Sequence, residues 1–137
     1  MTRRASPLKK KFSKSSARKK LHTLWSLAVR TRDEWTCQWC GKQDRKNHAH
    51  HIVSRALCGT NGSFEVENGM TLCLREHLFR LKADPDAYIA FRDTWLKKQG
   101  LDYHELRDKY RPIVKFTEDF YQTKLDSLGY VLYGKVR

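Results

Sequence analysis

The apolar positions fall into a helical rhythm toward both ends of the chain and into short runs in its middle. Leu21, Leu24, Trp25, Ala28 and Val29 recur at i, i+3, i+4, i+7 and i+8, which predicts one buried helix face over residues 21–35. Arg30, Arg32, Asp33 and Glu34 end that segment with mixed charge. Three more helices are predicted beyond residue 83. The first opens at Asp84-Pro85, a cap followed by a proline in the first turn, and carries Tyr88, Ile89, Phe91, Trp95 and Leu96 to a stop at Gly100. The second has Asp102 as its cap with Glu105 three residues on, and Leu101 can meet Leu106 as a hydrophobic staple. It carries Tyr103, Leu106 and Tyr110 until Pro112 breaks it. The third starts at Thr117, places Glu118 and Asp119 at the positive helix end, presents Phe120, Tyr121, Leu125 and Leu128, and is expected to close at Gly129. The final YVLYGKVR reads as a short strand or an ordered tail. The middle reads as a Cys-containing turn, a short strand around His48–Val53, a Gly/Asn-containing loop over Cys58–Phe64, a short segment Gly69–Cys73 and a helix from about Leu74.

Length and composition narrow this picture. At 137 residues and 39% hydrophobic, the chain has room for one domain with a small core, of a size class often stapled by a metal or disulfides. No apolar run approaches the roughly 18 residues of a membrane span. The basic N-terminus is not followed by the apolar stretch of a secretory signal. The expected setting is therefore intracellular, where four cysteines point to metal ligation or free thiols before disulfides. Lys and Arg number 28 against 15 Asp and Glu, a net charge of +13 that suggests a polyanionic partner, nucleic acid first, with a merely solubilising charge or an anionic membrane surface as the alternatives. Residues 1–20 hold nine of those cations and no acid, with Lys9, Lys10 and Lys11 in a row. Their composition predicts a disordered basic arm that would add salt-sensitive, sequence-independent affinity for phosphate. The expected organisation is that arm followed by a single α+β domain over 21–137, with a core at 36–82 and C-terminal helices over 84–128.

The core holds the candidate chemistry. Cys37-Gln-Trp-Cys40 is a C-x2-C knuckle, whose paired thiolates suit zinc, and Cys73 lies downstream. A four-thiolate site would want a cysteine at position 76, where the chain has Glu76. The fourth ligand is open between Glu76, Cys58 and His48, and the bland alternative is a set of reduced thiols. His50 and His51 are adjacent, with His48 nearby. Neighbours on a regular strand point to opposite faces, so a shared site requires the strand to bend or end there. Asn68 and His77 complete the set, His77 near the start of the helix that follows.

The ordered set CQWC, HHI, ENGMTLC and a closing EH resembles the HNH endonucleases of phage and bacterial type, over about residues 36–82. The resemblance implies a ββα-metal core, two short antiparallel strands and a helix around one metal ion, here surrounded by helices. It implies His51 as the general base that activates water, Asn68 as the residue that orients that base, and His50 and His77 as ligands of the catalytic ion. Cys37, Cys40 and Cys73 would hold a structural zinc. Leu81 stands where some relatives place another metal-binding histidine, so two protein ligands are expected. Arg75, Arg80 and Lys82 flank the ligand helix and are candidates for phosphate contact, beside the arm lysines. The implied activity is metal-dependent hydrolysis of DNA phosphodiesters, leaving 5′-phosphate and 3′-hydroxyl ends. The partner is duplex DNA in a bacterial or phage-infected cell, and double-strand cutting would take two events or a homodimer. Two imidazole ligands favour Mn, Co, Ni or Zn over hard Mg. The competing readings are a non-catalytic zinc module that binds DNA and an RNA-directed protein.

Overall fold

A computed structural model of the chain describes residues 11–74 and 76–134, with the backbone alone described for Glu76, His77 and Leu78. The centre is a two-stranded antiparallel sheet, β1 (His48–His51) and β2 (Gly69–Leu72), in the register His48↔Leu72, Ala49↔Thr71, His50↔Met70 and His51↔Gly69. Between the strands lie a short helix α2 (Arg55–Gly62) and a single 3-10 turn (Val66–Asn68). Helix α1 (Lys14–Arg32) precedes the sheet, and α3 (Glu76–Ala83), α4 (Pro85–Lys98), α5 (Tyr103–Lys109) and α6 (Glu118–Tyr133) follow it. This is the α+β class the sequence implied, a ββα unit wrapped by helices. None of the described helices is long and apolar enough to cross a membrane.

The sheet is buried on both faces. On one side Met70 and Leu72 join Ile52, Val53, Tyr88, Trp95, Leu96, Leu106 and Tyr110 in a cluster shared with α4 and α5. On the other, Ala49 packs into a second cluster built by Leu21, Trp25, Ala28 and Val29 of α1 with Phe64, Phe116 and Leu128. The i, i+3, i+4 stripe of α1 thus faces the sheet and α6 together. Its C-terminus is stitched down by a network. The Arg32 guanidinium forks onto Asp33, both N···O distances 2.9 Å, and donates to the carbonyls of Val66 and Gly69 at 2.9 and 2.7 Å. Asp33 in turn accepts from the Thr71 amide at 2.9 Å. Such charge-assisted bonds fix the helix end against the β2 backbone.

The caps fall where side-chain chemistry placed them. Asp84 accepts from the Ala87 amide, Asp102 from that of Glu105 and Thr117 from that of Phe120. Three expectations need correction. Residues 14–20, expected within a disordered arm, are helical, and residues 1–10 lie outside the described residues. Helix α1 begins at Lys14, where Ser13 caps the Ser16 amide, and Ala17 is already buried in the second core cluster. Lys, Arg and Ala are good helix formers, so their abundance there is compatible with order. The last helix does not close at Gly129, which is buried inside α6; the helix runs to Tyr133 and ends on Gly134 at φ 68°. Packing against α1 outweighs the intrinsic cost of a mid-helix glycine, about 1 kcal/mol. Finally, the segment expected as a loop from Cys58 is partly helical, with its break at Gly59 (φ 52°).

One glycine sets the spacing between α1 and the sheet. A Cβ on Gly69 would lie 2.5 Å from Val29 Cγ2 and 2.8 Å from Trp25 Cζ2. Gly69→Ala should therefore lower stability by about 1–3 kcal/mol, the usual cost of overpacking a filled core. Thermal unfolding of the purified variant measures this, and an unchanged midpoint would mean that α1 is not seated so closely.

Candidate metal and histidine centre

The knuckle forms because the chain turns back on itself after Cys37. The Gly41 amide donates to the Cys37 carbonyl at 2.8 Å, the Cys37 amide to the Lys42 carbonyl at 2.9 Å, and Gly41 adopts φ 79°. Cys73 arrives from the end of β2. The sulfurs of Cys37, Cys40 and Cys73 all lie within 4.8 Å of one another, and Cys40 Sγ stands 3.9 Å from Cys73 Sγ. A disulfide would bring two sulfurs to about 2.05 Å. Thiolates held tetrahedrally about 2.3 Å from one zinc stand roughly 3.8 Å apart. The donor set therefore fits a metal ion with three sulfurs in place. Burial pushes the Cys37 thiol up to about 11, against amides of Cys40, Cys73 and Trp39 that favour its thiolate. A metal ion would supply the missing charge compensation. His48 and Cys58, two of the candidates for a fourth ligand, contribute no atom to this group. His48 is exposed, and Cys58 turns instead to Gly59 and Ser63. The side chain of Glu76, the third candidate, lies outside the described residues.

His50 and His51 are the last two residues of β1, so the strand ends where a shared site needs it to, and the two rings meet different neighbours. His50 shares the face of Met70, and its Nε2 is 2.6 Å from the Tyr88 hydroxyl of α4. His51 lies flat on Trp25 of α1, ring centroids 3.9 Å apart and planes within 9°. Its Nε2 is 2.9 Å from the Ser63 carbonyl. A carbonyl only accepts, so this bond places a proton on Nε2 and leaves the lone pair on Nδ1. Burial lowers both imidazoles to about 4. Each is thus neutral near pH 7, the form that can ligate a metal or accept a proton.

Asn68 has no exposed surface, and its hydrogen bonds go to backbone rather than to an imidazole. Its Oδ1 accepts from the Val53 amide at 2.7 Å, and its Nδ2 donates to the carbonyls of Val53 and Gly62, both at 3.1 Å. The side chain clips the strand just past His51 to the residue just before Ser63. Its effect on His51 is therefore indirect, through the two backbone segments that hold that ring. Direct orientation of the base histidine by this side chain, the expected role, is not what its bonds do.

Among the other expected site residues, His77 has its backbone in the first turn of α3, while its side chain lies outside the described residues. Arg75, Lys9 and Lys10 lie outside them as well. Lys11 and Lys82 are exposed, and Arg80 places its guanidinium 4.8 Å from the Trp39 ring centroid. Leu81 packs against the first core cluster. Three partners of the histidines were not legible as such. Trp25 and Tyr88 were readable only as core aromatics, and the Ser63 contact is a main-chain carbonyl that carries no side-chain signal.

Two measurements test this geometry. Protein purified under reducing conditions should retain about one tightly bound metal ion per chain, lost in Cys37→Ser/Cys73→Ser together with thermal stability. Metal-free wild type with an unchanged melting point in chelator would contradict it. The second concerns pH. His50 and His51 titrate near 4 when folded, against an ordinary 6.5 when unfolded. Between those values the unfolded chain binds protons that the folded one does not. Stability of the chelator-treated protein should be complete above about pH 6.5 and fall steadily toward pH 4. The double variant His50→Gln/His51→Gln should show a shallower slope in that window, and an equal slope would mean the imidazoles are not held neutral by burial.

Comparison with curated proteins and with solved structures found no match. A protein-family model, described as HNH endonuclease, matches residues 37–78, the stretch containing the knuckle, both adjacent histidines, Asn68 and the start of α3. That segment, a little under a third of the chain, is similar to the HNH endonuclease family.

Proposed function

We propose that the protein is a metal-dependent endonuclease that hydrolyses DNA phosphodiester bonds, with His51 as its general base. The observation that carries this reading is the His51 ring itself. It is neutral, clamped between an indole face and a carbonyl, and presents an unprotonated Nδ1 within an HNH segment. In the proposed step Nδ1 takes a proton from a water molecule as its oxygen attacks phosphorus in line. The bond to the 3′ oxygen breaks and that oxygen takes a proton from solvent water, leaving a 3′-hydroxyl and a 5′-phosphate. The Ser63 carbonyl holds the resulting imidazolium through Nε2–H. A bound phosphate would raise the basicity of Nδ1, because a neighbouring negative charge favours the protonated ring.

His50 and His77 are the residues proposed to hold the divalent ion, with the Tyr88 hydroxyl fixing the His50 ring as outer partners of metal ligands do. Such an ion would stabilise negative charge developing on the leaving oxygen. Cys37, Cys40 and Cys73 are proposed to hold a separate structural zinc. Lys11, Lys82 and Arg80, with Lys9, Lys10 and Arg75, would add phosphate contacts. A single site nicks one strand, so double-strand cutting would take two events or two copies.

The test is relaxation and linearisation of supercoiled plasmid. Activity should require a divalent ion, vanish in chelator, and be at least as high with Mn or Ni as with Mg. His51→Ala should lower the rate by about 10²- to 10⁴-fold, the usual range for a lost general base. Equal cutting by that variant would sink the assignment. Activity with Mg alone would remove His50 from the ligand set. DNA that is bound and shifted but uncut with every metal would identify a non-catalytic zinc-containing DNA-binding module instead.

A further inference from the structure

Beside His51 lies a cleft that none of these assignments uses. It has a volume of about 400 Å³ and is lined by Arg18, Lys19, His22 and Thr23 of α1 and by Arg55 of α2. The four α1 residues occupy positions i, i+1, i+4 and i+5, one face of the helix, adjacent to the stripe that packs on the sheet. The His22 and His51 rings are 6.0 Å apart, so one lining residue of the cleft stands next to the proposed general base. Among the described residues no carboxylate pairs with Arg18, Lys19 or Arg55, although acids elsewhere pair readily with neighbouring cations. His22 Nδ1 is buried without a hydrogen-bond partner. The Arg18 guanidinium is stacked over the Phe116 ring at 4.5 Å, which holds it in place at the cleft.

We propose that this cleft is a phosphodiester-binding subsite, in which Arg18, His22 and Arg55 seat the backbone of the DNA strand next to His51. The inference rests on the nuclease reading for its ligand, and it moves the path of the strand onto α1 rather than onto the arm or the flank of α3 alone. Three cations without counter-ions form a concave, positively charged wall, and the stacked arginine is pre-organised to contact phosphate oxygens. A chain of phosphates running across α1 would bring one of them opposite Nδ1 of His51.

The experiment separates this subsite from catalysis by measuring binding alone. A fluorescently labelled DNA duplex is titrated with full-length protein in chelator over a salt series, and anisotropy is read. Arg18→Gln/Arg55→Gln should weaken binding about tenfold or more near 0.1 M salt. It should also reduce the slope of log affinity against log salt by nearly 2, about 0.9 for each phosphate left without its cation. The control Lys97→Gln/Lys98→Gln removes the same charge from the end of α4 and should change both quantities much less. Because Arg18 packs on Phe116, the single variant Arg55→Glu serves as a second arm. Arg55 is exposed, so its reversal leaves the core intact, and it should weaken binding at least as strongly as the double variant. Wild-type affinity and slope in the Arg55→Glu protein, or equal losses in the α4 control, would overturn the subsite. So would displacement of the duplex by an equal concentration of structured RNA. If the nuclease reading alone is wrong, wild type will cut no DNA in any metal, yet the selective loss of binding and slope will remain.

Discussion

The arrangement depends on one buried amide. Asn68 satisfies its side chain entirely with main chain, taking the amide and carbonyl of Val53 and the carbonyl of Gly62. Those bonds close the excursion between the strands, so that His51 at the end of β1 and Ser63 at the end of α2 meet. An unpaired buried polar group costs about 1–3 kcal/mol. Three backbone groups would lose a partner together if this side chain were removed. The Ile52 amide, which donates to the Asn68 carbonyl, and the Trp25 indole, which donates to the Glu65 carbonyl, tie down the same excursion.

The second constraint is the thinness of the sheet. With only two strands, the covered side chains of β1 reach different layers, Ala49 that of α1 with α6 and His50 that of α4. Adjacent histidines therefore enter different environments, one against a tyrosine hydroxyl and the other against an indole. Both environments desolvate the ring and so favour its neutral form. A strongly cationic chain thereby keeps uncharged imidazoles at its centre, while cations with no carboxylate partner among the described residues line the surface cleft next to them. That separation suits a site meant to receive an anion.

Much of the helical frame was legible because its signals are local. An acceptor side chain before a helix, a proline in the first turn and a glycine after the last turn act through bonds within a few residues, and Asp84, Asp102 and Thr117 cap as their positions imply. The errors came where composition was read against packing. Residues 14–20 look like a solvated tail by charge, yet Ala17 is buried. Gly129 looks like a stop, yet it lies where α6 packs on α1. Gly69 offered no signal at all, since its need for a missing side chain exists only once Val29 and Trp25 are brought to it.

By itself the sequence determined the chemistry available: which donors exist, their spacing in CQWC and HHI, and the sign of the surface charge. Spacing constrains a turn or a strand because those structures are built from near neighbours. Only tertiary structure decided which donors meet. It brought Cys73 to the knuckle and left His48 and Cys58 out, gave His51 a tautomer through a distant carbonyl, and placed Arg55 opposite α1. Those contacts join residues far apart in the chain, and the free energy that selects them comes from burying two apolar clusters, which no local window of sequence contains.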